Sequence, residues 1–481
     1  MIHTNAKHTI AAILLALLSA FSAACGGTEP EGSVREADTT VQPAETENPI
    51  KPSLPEKDYT GEEFVYYTRP GDPIFTIEEM TGDPLDDKNF QIRRDIEEQY
   101  GITIKEVKSS DNHAADALSS IMAGEDAYDA ILPFGRTSFT YAGEGALLDW
   151  EKDLPYVDLD KPYWNADARE GFTIGGKLYV MVGDILLSNL SAANCMMFNK
   201  TLLDKYDIEY PYSLVREGAW TLDKLAELSR GTLEDLNGDA AYTIDKDQFG
   251  YVTTQWGGPM QVLYSANQRI CRKDEDGLIT LSLNNDKVIA TFEKYFSIMT
   301  DLYCLPETTG QQDGGNAAFR EGRVAFFDCL VTTTTTYRDM TDDFGIIPFP
   351  KADETVDKYY CNVDGGTSLI CIPITVGNPE MVSMILEDMC WRYYDEMMPL
   401  YYNELLAMKV SRDDDSSEML DYIRDGRVFD IGYFYNGLSG AFVNTGRELA
   451  ISNDHNFASF YAANEASALA KIKEINGLYQ K

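Results

Sequence analysis

Asp235-Leu236-Asn237-Gly238-Asp239 sets three side-chain oxygens at alternate positions, the D-x-N-x-D spacing with which a loop surrounds a hard cation such as Ca2+. Ala240 stands where such loops carry glycine, and Lys246 where they close with glutamate. Asp235, Asn237 and Asp239 are therefore a weak calcium candidate, and a plain Asx-rich turn is the competing reading. Gly171 to Lys177 fits G-x-x-x-x-G-K. A phosphate-cradling loop needs Ser or Thr next and a helix starting there, whereas Leu178 follows and the segment reads as strand. Beyond residue 24 the only histidines are His113 and His455, both expected on the surface. H-E-x-x-H, G-x-S-x-G and a Cys/His pair at catalytic spacing are all missing. Glycoside hydrolysis needs only two carboxylates, so 79 acids leave that chemistry open. For contact rather than catalysis, Gln255-Trp256-Gly257-Gly258 stands out, because two glycines beside the indole expose it in a loop at a strand end. The 29 tyrosines add rings with a polar tip, suited to packing and to polar ligands with apolar faces.

The elements that must position these residues follow an export segment. Lys7, the mostly apolar run Ile10 to Ala24 and small residues before a cut make up a secretory signal over residues 1–24. The run is shorter than the roughly twenty apolar residues of a membrane span. Ser22-Ala23-Ala24-Cys25 resembles the lipobox of bacterial lipoproteins, which implies acylation of the Cys25 thiol and a lipid-anchored protein on the extracytoplasmic face of the cell membrane. Residues 25–58 then read as the acylated cysteine and a tether: positions 26 to 58 hold five prolines, eight acids, three bases and no aromatic residue. Removing residues 1–24 takes Lys7 and no acid, moving the formal charge from −39 to −40. Such a surface repels phosphate backbones and anionic headgroups, which excludes nucleic acid and confines membrane contact to the lipid. It also keeps the protein soluble and monomeric. Seven further cysteines, scattered without C-x-x-C spacing in apolar strings, read as buried free thiols.

The body begins at Phe64-Val65-Tyr66-Tyr67, a strand. Leu85, Ile92, Ile96 and Tyr100 mark one face of a helix stopped by Gly101, Ile102 and Ile104 a strand, Leu118 to Met122 a helix, and Tyr128 to Leu132 a strand. This alternation predicts a parallel α/β sheet, whose ligands bind beyond the carboxyl ends of the strands. Phe134 and Arg136 lie past one such end and Arg69 past another, each arginine being either a ligand contact or a solvated loop charge. Phe172 to Val180, with Gly175-Gly176 at its centre, predicts a hairpin. Thr221 predicts a helix N-cap, with Asp223 in the first turn and Gly231 at the end.

A strand ending in Phe198-Asn199-Lys200, Pro211 and Trp220-Thr221 with Leu225 resemble the middle of family 1 extracellular solute-binding proteins, the carbohydrate-type receptors of bacterial ABC importers. Ala318-Phe319-Arg320-Glu321-Gly322-Arg323-Val324-Ala325-Phe326, Phe344 to Pro350 and Asp364-Gly365-Gly366-Thr367-Ser368 resemble later motifs of that family in the same order. The resemblance implies a two-lobed periplasmic-binding-protein-like fold of type II, with discontinuous lobes joined by a hinge: 59–186 with 364–410, and 187–363 with 411–481. It implies no enzyme and no cofactor. The partners it implies are a small solute, a sugar or oligosaccharide, and the permease subunits of an ABC importer. An exported glycosidase and a surface adhesin are the alternatives. Within such a fold the expected ligand contacts are Trp256 and Gln255, in the region where the family places a ligand-contacting aromatic, then Asp364 and Gly365 at a predicted lobe crossing. Asp364 is either an acceptor for two sugar hydroxyls or a turn cap. Arg136, Phe134 and Arg69 join them. Asp328 to Thr336 lacks the tryptophan that the family often shows there, and Tyr435, beside Tyr433 and Phe434, is the substitute aromatic surface.

Overall fold

The computed structural model describes residues 50–70, 77–111, 114–307, 313–337, 339–407, 414–452 and 454–480. The signal segment, Cys25, the tether up to residue 49 and His113 lie outside the described residues. Residues 50–58, assigned to the tether by composition, are already seated on the body. Ile50 and Leu54 pack against the core, Lys51 Nζ lies 4.9 Å from the Trp391 ring centroid and Lys57 pairs with Glu380 at 2.8 Å. Few apolar residues suffice there because each finds a partner on a surface formed by distant sequence.

Among the described residues, ten strands form the two main sheets. In chain order they are β1 (Glu63–Thr68), β2 (Thr103–Lys108), β3 (Ala130–Leu132), β4 (Val180–Met181), β5 (Asn194–Asn199), β6 (Phe249–Thr254), β7 (Cys304–Glu307), β8 (Val324–Leu330), β9 (Phe344–Ile347) and β10 (Ile370–Cys371). The first sheet has the order β2-β1-β3-β10-β4 and the second β9-β5-β8-β6-β7. β1 is parallel to both β2 and β3, as the strand and helix alternation requires. The intervening helix Pro84–Tyr100 is capped by the Asp83 carboxylate and Pro84 at one end. Gly101, at φ 73°, ends it in the left-handed conformation. Ile92, Ile96 and Tyr100 are buried along one face.

β10 enters the first sheet between β3 and β4 only after the second sheet is complete. The chain therefore leaves the first sheet after β4 and returns after β9. The helix Pro379–Arg392 packs back on the first half, where Tyr100 Oη donates to Asp388 at 3.0 Å. Past residue 414 the chain touches both halves: Tyr212 and Ser416 hydroxyls meet at 3.0 Å and Asn476 Nδ2 donates to Ile279 O at 2.9 Å from the last helix, Phe457–Tyr479, while Arg424 pairs with Asp184 at 2.7 Å and Tyr435 stacks on Phe139 at 5.0 Å. The molecule is thus a two-lobed α/β fold with discontinuous halves.

One local expectation changes. Phe172 ends the helix Ala166–Phe172 instead of starting a strand. Only the bridge between Ile174 and Lys177 closes the turn, with Gly175 and Gly176 both at positive φ. The turn chemistry was local and legible; the pairing beyond it loses to helix packing, since Phe172 is buried against Phe139 and Phe434. Among the described residues no helix is long and apolar enough to cross a membrane.

Candidate functional site

The carboxyl ends of first-sheet strands converge on one short crossing segment, 364–368, and those of β6 and β8 line a cavity that Asp364 shares. From the first sheet, Phe134 follows β3 and forms an antiparallel bridge with Ser368, and Gly135 N donates to Thr367 O at 2.7 Å. Arg69, just past β1, donates from Nε to Ser368 Oγ at 2.9 Å, and its guanidinium lies 5.4 Å from the Phe134 ring centroid. Arg136 lies over the Tyr433 ring at 4.4 Å, with its Nε buried and unpartnered. Gly365 lets Arg136 approach closely at this crossing, since a Cβ would sit 2.9 Å from Arg136 Nε and displace it. Asp364 caps its own turn through Gly366 N at 2.8 Å and accepts from Tyr433 Oη at 3.3 Å. Arg69, Phe134, Arg136, Asp364 and Gly365 therefore form one cluster around the crossing.

The second sheet contributes a different structure. After β6, residues 255–257 turn into the helix Gly258–Ser265 around a buried carboxylate. Asp328, on β8 and 1% exposed, accepts from Tyr251 Oη at 2.7 Å and from Gly258 N. Tyr295 Oη completes the cluster, at 3.1 Å from Tyr251 Oη and 3.2 Å from Thr253 Oγ1. A Cβ on Gly257 would lie 1.7 Å from Asp328 Oδ2, and one on Gly258 2.0 Å from Tyr295 Oη. The glycine pair is therefore demanded by close approach, not by exposure of its neighbour as the sequence suggested. Burial pushes Asp328 up to about 6, against the opposing pull of its hydrogen bonds.

Trp256 at the tip of this turn is 46% exposed. The Arg447 guanidinium covers it at 4.3 Å from the ring centroid. Trp256 and Asp364 line a common cavity of about 150 Å³ together with Asn194, Asn316, Asp328 and Thr333. Asn194 is 2% exposed; its Nδ2 donates to Asn362 O at 3.1 Å, and its Oδ1 has no partner. The cavity thus joins an aromatic face, amide and hydroxyl groups and a carboxylate, a lining that fits polyhydroxylated molecules better than apolar ones.

The sequence profile of the bacterial extracellular solute-binding proteins matches residues 91–384, more than half of the chain. The chain belongs to that family. Among solved structures, this solute-binding protein is similar to the ABC substrate-binding protein Lmo0181 of Listeria monocytogenes in complex with cycloalternan. The two are 16% identical, the match covers 86% of this chain and 98% of the other, and the TM-score is 0.51. It is similar to a cyclo/maltodextrin-binding protein complexed with maltotetraose at 15% identity, over 86% and 96% of the two chains, with a TM-score of 0.55. It is also similar to UspC of M. tuberculosis at 15% identity, over 85% and 100%, with a TM-score of 0.56. Curated protein sequences give no match. The fold is of the periplasmic-binding-protein type, and the family binds solutes rather than transforming them, on the extracytoplasmic side.

Other sequence candidates of the solute-binding protein lie elsewhere. Gln255 is 5% exposed with a buried, unpartnered Oε1. Tyr435 is 7% exposed and stacks on Phe139 at 5.0 Å, so it packs the first half instead of offering an aromatic surface; Tyr433, two residues earlier, meets Arg136 and Asp364. In the 235–239 loop Asp235 accepts from Gly238 N at 2.7 Å and Ala240 N at 2.8 Å, and Asn237 from Asp239 N at 2.8 Å, an Asx-turn geometry. His455 is half-buried at the surface: it stacks on Phe296 at 4.3 Å, and burial lowers its pKa. The seven cysteines beyond Cys25 are free and buried. Asn194, Asn316 and Thr333 escaped the sequence reading. The signal available for Asn194 was a polar residue opening an otherwise apolar strand.

Proposed function

We propose that this solute-binding protein captures a sugar or oligosaccharide between its lobes and hands it to the permease of an ABC importer. The observation that supports this most is the cavity that second-sheet strand ends share with Asp364 of the crossing segment, holding the unpartnered Asn194 oxygen beside the half-exposed Trp256. A pyranose offers flat C–H faces for the indole and hydroxyls for Asn194, Asn316, Thr333 and Asp364. Lmo0181 and the cyclo/maltodextrin-binding protein, solved with oligosaccharides, share the fold. The ligand favours the closed state by contacting both lobes, taken as 59–186 with 364–410 and 187–363 with 411–481, and the closed form docks on the permease.

Acylation of Cys25 would hold the protein on the outer face of the cell membrane, within reach of the permease through residues 26–49, and raise their effective concentration. The protein acts as a monomer. Titration calorimetry of the purified chain against an oligosaccharide panel tests the binding reading. Saturable heat with the sugar recovered intact is the expected result, and no saturable binding to any glycan contradicts it. Replacing Cys25 by Ala should release the protein into the medium; continued membrane retention would remove the anchor.

A further inference from the structure

We propose that a second pocket, at the junction of the two halves, binds a small oxyanion of the phosphate or sulfate class. This pocket, of about 420 Å³, is walled by three separate regions. Asp167, Glu170 and Gly171 come from the helix Ala166–Phe172 of the first half. Asn267 to Lys273 come from the second half, and Lys358, Tyr360 and Phe429 to Ile431 from the segments between them.

In a chain of 40 basic and 79 acidic side chains, four cations, Arg269, Arg272, Lys273 and Lys358, meet at this one place. Arg269 alone has a carboxylate partner, Asp167 at 3.2 Å. Arg272 donates to Asn267 O at 2.7 Å and Lys358 to Asp425 O at 3.2 Å, while Lys273 donates to the backbone carbonyls of Gly171 and Glu170. Carbonyl oxygens satisfy donors without neutralising charge.

Three acids, Asp167, Glu170 and Asp430, share the lining, one fewer than the cations. Asp430 accepts from Ile270 N, Cys271 N and Gly432 N, and Asp167 accepts from Phe429 N at 2.7 Å besides pairing with Arg269. Arg269 and Lys358 both lie over the Tyr360 ring, at 5.2 and 5.0 Å from its centroid. A divalent oxyanion offers several acceptors to such a set and removes its repulsion, whereas chloride offers a single point charge.

Sulfate is the probe, since its charge does not change near neutral pH, with ionic strength held constant by sodium chloride. Saturable heat and a rise in Tm beyond the chloride control are expected. The double variant Arg272→Gln, Lys358→Gln changes two exposed side chains and should weaken sulfate binding about tenfold or more while leaving any glycan binding unchanged. Burial lowers Lys273 to about 8, with Asp430, Cys271, Glu170 and Asp167 facing it and opposing that shift. Sulfate affinity should therefore fall as the pH is raised through that value. Absence of saturable binding above the chloride control, equal affinity in the double variant, or affinity flat with pH would overturn the site, whatever the glycan result.

Discussion

The two sides of the candidate cleft are built on opposite plans. On the first-sheet side, cations and aromatic rings gather around the crossing segment and most of their polar groups find partners: Arg69 on Ser368, Arg136 over Tyr433, Asp364 on its own turn. On the second-sheet side one buried carboxylate, Asp328, pins a glycine turn from beneath, and the turn holds Trp256 half in solvent. The first side anchors the crossing between lobes; the second presents a surface. Arg69 and Arg136 serve the anchoring side through a hydrogen bond and a ring stack, whereas Asp328 accepts from both Tyr251 and Gly258 in a space where burial disfavours its charge.

This contrast can be broken most severely at Gly257. A Cβ there meets Asp328 Oδ2 at 1.7 Å, so Gly257→Ala should displace the turn and destabilise the fold by about 3 kcal/mol, read by urea unfolding. A loss below about 0.5 kcal/mol would show that the carboxylate does not pin the turn. Next in size is the charge itself. With its folded pKa raised to about 6, Asp328 holds its proton in the folded chain over a range where the unfolded chain has released it. Its contribution is therefore fully present below the ordinary carboxylate pKa near 4 and is lost as the pH rises through about 6, by about 3 kcal/mol in all. Asp328→Asn should remove that segment of the pH dependence, whereas an unchanged pH profile would assign it to other acids, such as Asp129, also raised to about 6 by burial. The smallest effect belongs to the anchoring side. Arg136→Met keeps the apolar stem and loses the stacked charge, and should cost about 1 kcal/mol of stability with the fold intact. A loss as large as that at Gly257 would erase the distinction between the sides.

The sequence made the first sheet legible because its elements are local. Asp83 and Pro84 start a helix, Gly101 ends it, and alternating isoleucines begin the next strand. The site was only half legible. Gly257 and Gly258 read as exposing the indole, because the cause of their close approach, Asp328, comes from a strand paired with β6 only in the folded sheet. Asn194, Asn316 and Thr333 reach the Trp256 cavity through the same tertiary packing and carry no spacing that marks them. Tyr433 and Tyr435 were indistinguishable by type. The single helical turn that follows the Asp430 cap carries Tyr433 to Arg136 and Tyr435 to Phe139. The stack of His455 on Phe296 was not legible, because that ring belongs to a helix far back in the sequence.

Trp256 carries the central claim, since it is the large exposed ring at the cavity shared with Asp364. Titration calorimetry of the wild type and Trp256→Ala with the best glycan from the panel is the direct test. Because the ring is half in solvent, the variant should fold with near-normal stability and bind at least about tenfold more weakly, a change of about 1.4 kcal/mol or more. Unaltered affinity in a folded variant would contradict a cleft in which the second sheet presents its ligand surface through Trp256.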